Sequence, residues 1–159
     1  MTNVLLNKPA PDFGLADDSG RMVKLSEQIG KPVVIFVYPQ DGTQTCTAEA
    51  VSFSNLADRF RRSGIALFGL SPDSVEKHRK FKAKHGLKVA LLSDPDHRFI
   101  GPWGCWAEKT MFGRKYMGVV RSTFLIGADG KVKAEWRGVR VAGHAEEVLA
   151  AARALAQGT

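Results

Sequence analysis

Between Lys31-Pro32 and Pro39 the chain reads Val33-Val34-Ile35-Phe36-Val37-Tyr38, a run of branched and aromatic residues without polar alternation. A strand with one wet face alternates, so this one is predicted to be buried on both faces, at the centre of a sheet. Pro39 stops it, because proline offers no amide hydrogen to a ladder. The polar loop Gln40 to Thr45 follows, and Ala50, Phe53, Leu56, Ala57 and Phe60 then recur at three- and four-residue spacing. That periodicity predicts a helix from near Cys46 to just before Gly64. Ile65-Ala66-Leu67-Phe68-Gly69-Leu70 reads as a second buried strand, and Ser71-Pro72-Asp73 opens a helix that runs to about His85. The order strand, helix, strand, helix makes an α/β fold with parallel crossovers.

The flanks fit around this centre. Pro9-Ala10-Pro11-Asp12-Phe13 leads to a polar turn at Asp17-Asp18-Ser19-Gly20 and then to Met22, Val23 and Leu25, which predicts an N-terminal β-hairpin. Val89 to Leu92 is a third strand, and the residues after Ser93-Asp94-Pro95-Asp96, with Trp103, Trp106 and Met111, read as irregular. Ser122 to Ile126 and Lys131 to Trp136 flank Gly127-Ala128-Asp129-Gly130, a hairpin signal, and His144 to Ala156 closes the chain as a helix. The expected architecture is a central mixed β-sheet flanked by helices, parallel through the crossovers and antiparallel near the last hairpin. A length of 159 residues fills one core, so residues 1–159 are expected to form a single domain.

The net charge of +7 is densest from Lys77 through Arg79, Lys80, Lys82 and Lys84 to His85. Such a patch attracts nucleic acid or an acidic partner, but Phe81, Ala83 and Leu87 interrupt it at core spacing, which favours a solvated helix face. No zinc finger, phosphate loop or basic-aromatic platform accompanies it, so no nucleic-acid partner is expected. No window approaches roughly eighteen apolar residues, which excludes a membrane-spanning helix. Two cysteines, Cys46 and Cys105, are too few for a disulfide framework, and no export signal precedes them, so the cytoplasm is expected. His78, His85, His97 and His144 lack metal-ligand spacing to the cysteines and read as surface or packing residues; no metal is expected.

Cys46 lies where the loop after the central strand enters a helix, the crevice in which α/β proteins gather reacting atoms. Two readings stay open for it, a reactive thiol and a buried structural one. A thiol at its reference pKa of about 8.5 is only ~3% ionised at pH 7. One lowered to roughly 6 is about 90% ionised, which takes about 3.4 kcal/mol of preferential stabilisation. A helix N-terminus supplies about 0.3 to 1 kcal/mol, and about 2 at best, so a cation or further donors must supply the rest. Thr43, Thr45 and Thr47 offer hydroxyls, with the helix cap expected nearest Thr45 or Cys46, and Glu49 reads as a cap residue. Arg121, directly before the strand that begins at Ser122, is the candidate cation. Taken singly, Arg121 is a surface residue, Thr43 a loop hydroxyl, Pro39 a strand stop and Trp106 a packing residue.

The segment Tyr38-Pro39-Gln40-Asp41-Gly42-Thr43-Gln44-Thr45-Cys46-Thr47-Ala48-Glu49-Ala50 resembles the peroxiredoxins, in their bacterioferritin-comigratory or Q-type branch. Pro9 to Phe13, Trp106-Ala107-Glu108-Lys109 and Arg121-Ser122-Thr123-Phe124-Leu125-Ile126 extend that resemblance over nearly the whole chain. It implies a thioredoxin-like fold and a thiol-dependent peroxidase acting on hydrogen peroxide and small organic hydroperoxides through a Cys46 sulfenic acid. In that family the cysteine matching Cys46 is peroxidatic and the threonine matching Thr43 hydrogen-bonds the peroxide. The proline matching Pro39 shields the pocket, and the arginine matching Arg121 stabilises the thiolate and the transition state. No metal, flavin or other cofactor is implied, and the expected reductant is thioredoxin or another thiol.

The sequence departs from that branch around the cysteine. Thr45 stands where a glycine is common, Gln44 where a proline is, and Val51 where a resolving cysteine is common. Cys105 is the internal alternative, and two readings stay open for it, a resolving thiol and a packing thiol. Without it, an outside thiol reduces the sulfenic acid in a one-cysteine cycle. The competing functions are a thioredoxin-like thiol-disulfide oxidoreductase, for which Cys46-Thr47-Ala48-Glu49 lacks the second cysteine, and a non-enzymatic binding or holdase protein. A monomer is expected, with a dimer the alternative.

Overall fold

A computed structural model describes residues 5–158. An N-terminal hairpin of β1 (Gly14–Ala16) and β2 (Met22–Lys24) turns through Asp17, whose Oδ1 accepts from the Ser19 and Arg21 amides at 2.9 and 3.0 Å. A 3-10 turn at Leu25–Gln28 leads to β3 (Val33–Val37). Then come α1 (Gln44–Asn55), α2 (Ala57–Arg62), β4 (Ala66–Ser71), α3 (Val75–His85) and β5 (Ala90–Ser93). A second hairpin, β6 (Trp106–Met111) and β7 (Arg114–Val119), precedes β8 (Ser122–Ile126), β9 (Val132–Arg137) and α4 (His144–Gln157).

The main sheet has the order β5-β4-β3-β8-β9. β3 runs parallel to β4 and β4 to β5, whereas β8 is antiparallel to both β3 and β9. All of β3 is buried, as its unbroken apolar run predicts. Its alternate side chains enter two cores. Val34, Phe36 and Tyr38 pack with Cys46, Phe53, Phe60, Phe81 and Val148 from α1, α2, α3 and α4. Val33, Ile35 and Val37 pack on the other face with Leu15, Phe99, Trp103, Cys105 and Phe124.

Three local features differ from the sequence expectation. The helix foreseen from Cys46 to Gly64 is two helices, broken at Leu56, whose N–H turns back to the Phe53 carbonyl at 3.0 Å. A one-residue break leaves the apolar spacing along the chain intact, so periodicity alone does not reveal it. The residues after Trp103 are not wholly irregular, because β6 and β7 pair in full register from Trp106↔Val119 to Met111↔Arg114. Their two-residue turn places Phe112 at φ 53 and Gly113 at φ 78, a conformation usually given to Asn-Gly or Gly-Gly. Third, Thr43 is the cap of α1, ahead of the expected Thr45 or Cys46.

Candidate active site

The end of β3 and the start of α1 bring the site together. Tyr38 finishes the buried run, Pro39 is half-buried, and the loop crosses to Thr43, whose extended backbone (φ −71, ψ 155) opens α1. Thr43 Oγ1 accepts from the Cys46 N–H at 3.3 Å. That bond satisfies one of the amides a helix leaves open at its first turn, and the Thr43 hydroxyl hydrogen is left to donate elsewhere. Cys46 thus sits inside the first turn, where the helix field favours negative charge, and is 1% exposed.

Sheet register delivers Arg121 to the same place. β8 pairs antiparallel with β3 so that Ser122 faces Val37, and the residue before Ser122 therefore arrives beside the loop that leaves β3. Arg121 Nη2 donates to Cys46 Sγ at 3.3 Å, and Nη1 donates to Glu49 Oε1 at 2.7 Å. Cys46 and Glu49 are three residues apart on one face of α1, so a single planar fork spans both. Glu49 is 1% exposed and its Oε2 has no hydrogen-bond partner among the described residues. Burial pushes the Glu49 carboxyl up to about 7, although the Arg121 charge pulls the other way. Burial works against the Arg121 charge, but the Glu49 carboxylate and the Cys46 sulfur outweigh it and raise the guanidinium further. Lys109 on β6 is half-buried and within electrostatic reach. Burial and then the Arg121 charge lower its ammonium, while Cys46 acts in the opposite sense. A sulfur at a helix N-terminus, facing a fixed guanidinium and a free hydroxyl, is equipped to hold a thiolate and to steady charge on an attacked oxygen.

Cys105 lies elsewhere. It is fully buried in the core on the opposite face of the sheet from Cys46. Its N–H bonds the Ile100 carbonyl at 2.8 Å and its carbonyl accepts from Val120 N–H at 2.7 Å. Burial pushes its thiol up to about 11, against the pull of Arg137. The neighbouring backbone is clamped by Arg137, which donates to the Trp103 and Gly104 carbonyls at 2.9 and 3.0 Å and to Glu135 Oε1 at 2.6 Å.

The AhpC/TSA family profile matches residues 6–135, a span that holds Pro39, Thr43, Cys46 and Arg121. The chain belongs to the AhpC/TSA family. Among curated relatives, Peroxiredoxin Bcp of Bacillus subtilis is 44% identical over 144 residues, covering 91% of this chain and 92% of its own. Peroxiredoxin Bcp of Xanthomonas campestris is 40% identical over 159 residues, covering 99% of both chains. A solved structure of the Xanthomonas campestris bacterioferritin comigratory protein superposes with a TM-score of 0.86 at 39% identity, covering 91% of this chain and 92% of that one. No helix among the described residues is long and apolar enough to cross a membrane.

Several side chains in this AhpC/TSA member do what the sequence alone did not foretell. Glu49 is the buried partner of Arg121, where a cap was expected; its position one turn beyond Cys46 was the available signal. Trp106 is 39% exposed against the His97 ring, whereas the packing tryptophan is Trp103. The basic run from Lys77 to His85 is a helix with a wet face, as expected, and His78 and Phe81 are its buried residues. His78, Asp41 and Asp73 bring potential ligand atoms within 4.8 Å of one another, although each of the three side chains already has a partner within the protein.

Proposed function

We propose that this chain is a thiol-dependent peroxidase for hydrogen peroxide and small organic hydroperoxides, with Cys46 as the nucleophile and residues 1–159 acting as one domain. The arrangement that carries the reading is the Arg121 fork, 3.3 Å from the sulfur and 2.7 Å from Glu49, over the first turn of α1. The Cys46 thiolate attacks one peroxide oxygen; a sulfur–oxygen bond forms as the oxygen–oxygen bond breaks. The leaving hydroxide or alkoxide takes a proton and departs as water or alcohol, and Cys46 is left as sulfenic acid. Thr43 donates its hydroxyl hydrogen to the peroxide, Arg121 steadies the thiolate and then the charge moving onto oxygen, and Pro39 shields one flank. The alkyl peroxide reduction activity attributed to the Xanthomonas campestris protein supports the same substrate class here.

Regeneration takes two thiols from outside. The first condenses with the sulfenic acid, releasing water and leaving a mixed disulfide; the second displaces it and restores Cys46. Thioredoxin is the favoured donor, in a reducing cytoplasm, with the enzyme a monomer. The placement of Cys105 on the opposite face of the sheet, clamped through Arg137, supports this route over internal resolution. Disulfide exchange of the thioredoxin kind is disfavoured because Glu49 occupies the position of a second cysteine. Reduced protein treated with one equivalent of hydrogen peroxide should gain one oxygen at Cys46 by intact mass and peptide mapping, and Cys46→Ser should consume no peroxide. Peroxide inertness together with efficient reduction of insulin disulfides would overturn the assignment.

A further inference from the structure

Behind the Cys46 loop lies a buried polar network that the peroxide chemistry does not touch. Asp41, two residues before Thr43, is 5% exposed. Its carboxylate is held on both oxygens: the Tyr38 hydroxyl donates to Oδ1 at 2.6 Å, and His78 Nδ1 lies 2.6 Å from Oδ2. Its backbone N–H donates to Asp73 Oδ2 at 2.7 Å. Asp73 also accepts from Ser71 Oγ at 2.6 Å, and its other oxygen pairs with Lys77 Nζ at 2.8 Å. The loop is thereby tied to β4 through Ser71 and to α3 through His78 and Lys77.

Among the described residues, nothing comparable holds the loop from the solvent side. Gly42, Thr43, Gln44 and Thr45 are exposed, and Gly42 turns at φ 86 with open space around it. Arg121 and the core hold Cys46 itself, so the restraint on the exposed stretch that carries Thr43 comes from its Asp41 end. A proton count strengthens the point. His78 Nε2 faces the Leu92 carbonyl at 2.9 Å, and a carbonyl only accepts, so Nε2 carries a hydrogen. The His78–Asp41 contact then shares one further proton, whether written as imidazolium and carboxylate or as neutral ring and carboxyl. Such a bond is strong when buried, and removing either partner strands the other.

We propose that His78 and Asp41 are positioning residues for the peroxidase reaction, holding the loop so that the Thr43 hydroxyl and the Cys46 sulfur converge on the peroxide. This rests on the peroxidase reading of Cys46. A shift of about 1 Å in reacting groups costs as much as ~100-fold in rate, so releasing the loop should be visible. Asp41→Ala and His78→Leu are expected to lower the second-order rate constant for hydrogen peroxide by at least about tenfold. Asp41→Asn rebuilds the network without charge: its oxygen accepts from Tyr38, its N–H donates to a neutral His78 ring, and Nε2–H stays on Leu92. It should therefore keep the rate within about threefold of wild type, a rescue that general loss of stability would not produce.

Hydrogen exchange at residues 42–47 gives a second readout that needs no peroxide, and it should quicken in Asp41→Ala and not in Asp41→Asn. If His78→Leu does not fold, the two Asp41 variants decide. Folded Asp41→Ala with an unchanged rate and unchanged exchange overturns the proposal, as does Asp41→Asn falling as far as Asp41→Ala. A wild-type protein inert to peroxide overturns the peroxidase reading instead, and the exchange comparison then judges the positioning of the loop on its own.

Discussion

Arg121 serves two acceptors with one guanidinium, and its planar fork is what makes that possible. Lysine carries the same charge on a single nitrogen at the end of a flexible stem, so Arg121→Lys cannot reproduce two donations from two fixed nitrogens. We expect it to lower the second-order rate constant for hydrogen peroxide by about 100-fold, the usual cost of one misplaced charge-stabilising donor, measured by rapid mixing on the reduced enzyme. A rate within threefold of wild type would mean that charge alone suffices. Glu49 makes a separate claim on stability. Its folded carboxyl is raised to about 7, whereas an unfolded glutamic acid titrates near 4.3. The folded state therefore keeps a proton that the unfolded state has lost, so this contribution is full below about pH 4.3 and is lost as pH rises to about 7. The upper figure is about 4 kcal/mol. His144 has a lowered folded pKa, chiefly from burial, and contributes with the opposite sign as pH passes its own range. Subtracting the urea-unfolding curve of Glu49→Gln from that of wild type between pH 4 and 8 cancels His144, and the difference should decline with pH. A flat difference would refute the assignment.

α1 owes its start to Thr43, whose hydroxyl accepts from the Cys46 amide and keeps a hydrogen for the donation to peroxide proposed above. Thr43→Ala removes both and should cost about 1 kcal/mol of stability together with a large part of the peroxide rate, whereas Thr43→Ser keeps both functions. Chemical denaturation and peroxide kinetics on the two variants separate the cap from the donor; loss of rate in Thr43→Ser equal to that in Thr43→Ala would remove the hydroxyl from the argument. How far such elements could be read from sequence follows what their residues face. β3 was legible because both of its faces are apolar. The β6–β7 hairpin was not, because most of its residues face solvent and Phe112 occupies a left-handed turn position without the usual glycine or asparagine. The Arg121–Glu49 contact spans 72 positions and is set by the β3–β8 register, which spacing along the chain does not encode. His78 was hidden among Lys77, Arg79 and Lys80, whose charges mark a wet helix while the helix turns one histidine inward.

The central sheet divides the molecule into two chemical compartments. Its helical face holds Cys46, within reach of a fixed cation and next to an exposed loop. The other face holds Cys105 among Phe99, Trp103 and Phe124, where burial keeps the thiol protonated. A disulfide requires the two Cα atoms to come within about 7 Å, so joining these sulfurs means taking at least one segment off the sheet. For Cys105 that segment is costly to move, since the side chains of Arg137 and Glu135 are 3% and 0% exposed and stranding either charge is severely unfavourable. Cys105→Ala should therefore leave thiol-dependent peroxide turnover unchanged within about twofold while lowering stability by about 1 to 2 kcal/mol, the cost of removing one sulfur from a packed core. Steady-state turnover with thioredoxin and its reductase, beside urea unfolding, measures both quantities on one preparation. Retained stability with lost turnover would place Cys105 in the cycle and would require the Trp103–Cys105 segment to leave the core during each turn. The opposite pattern, lost stability with retained turnover, is what a sheet that keeps its two thiols apart demands.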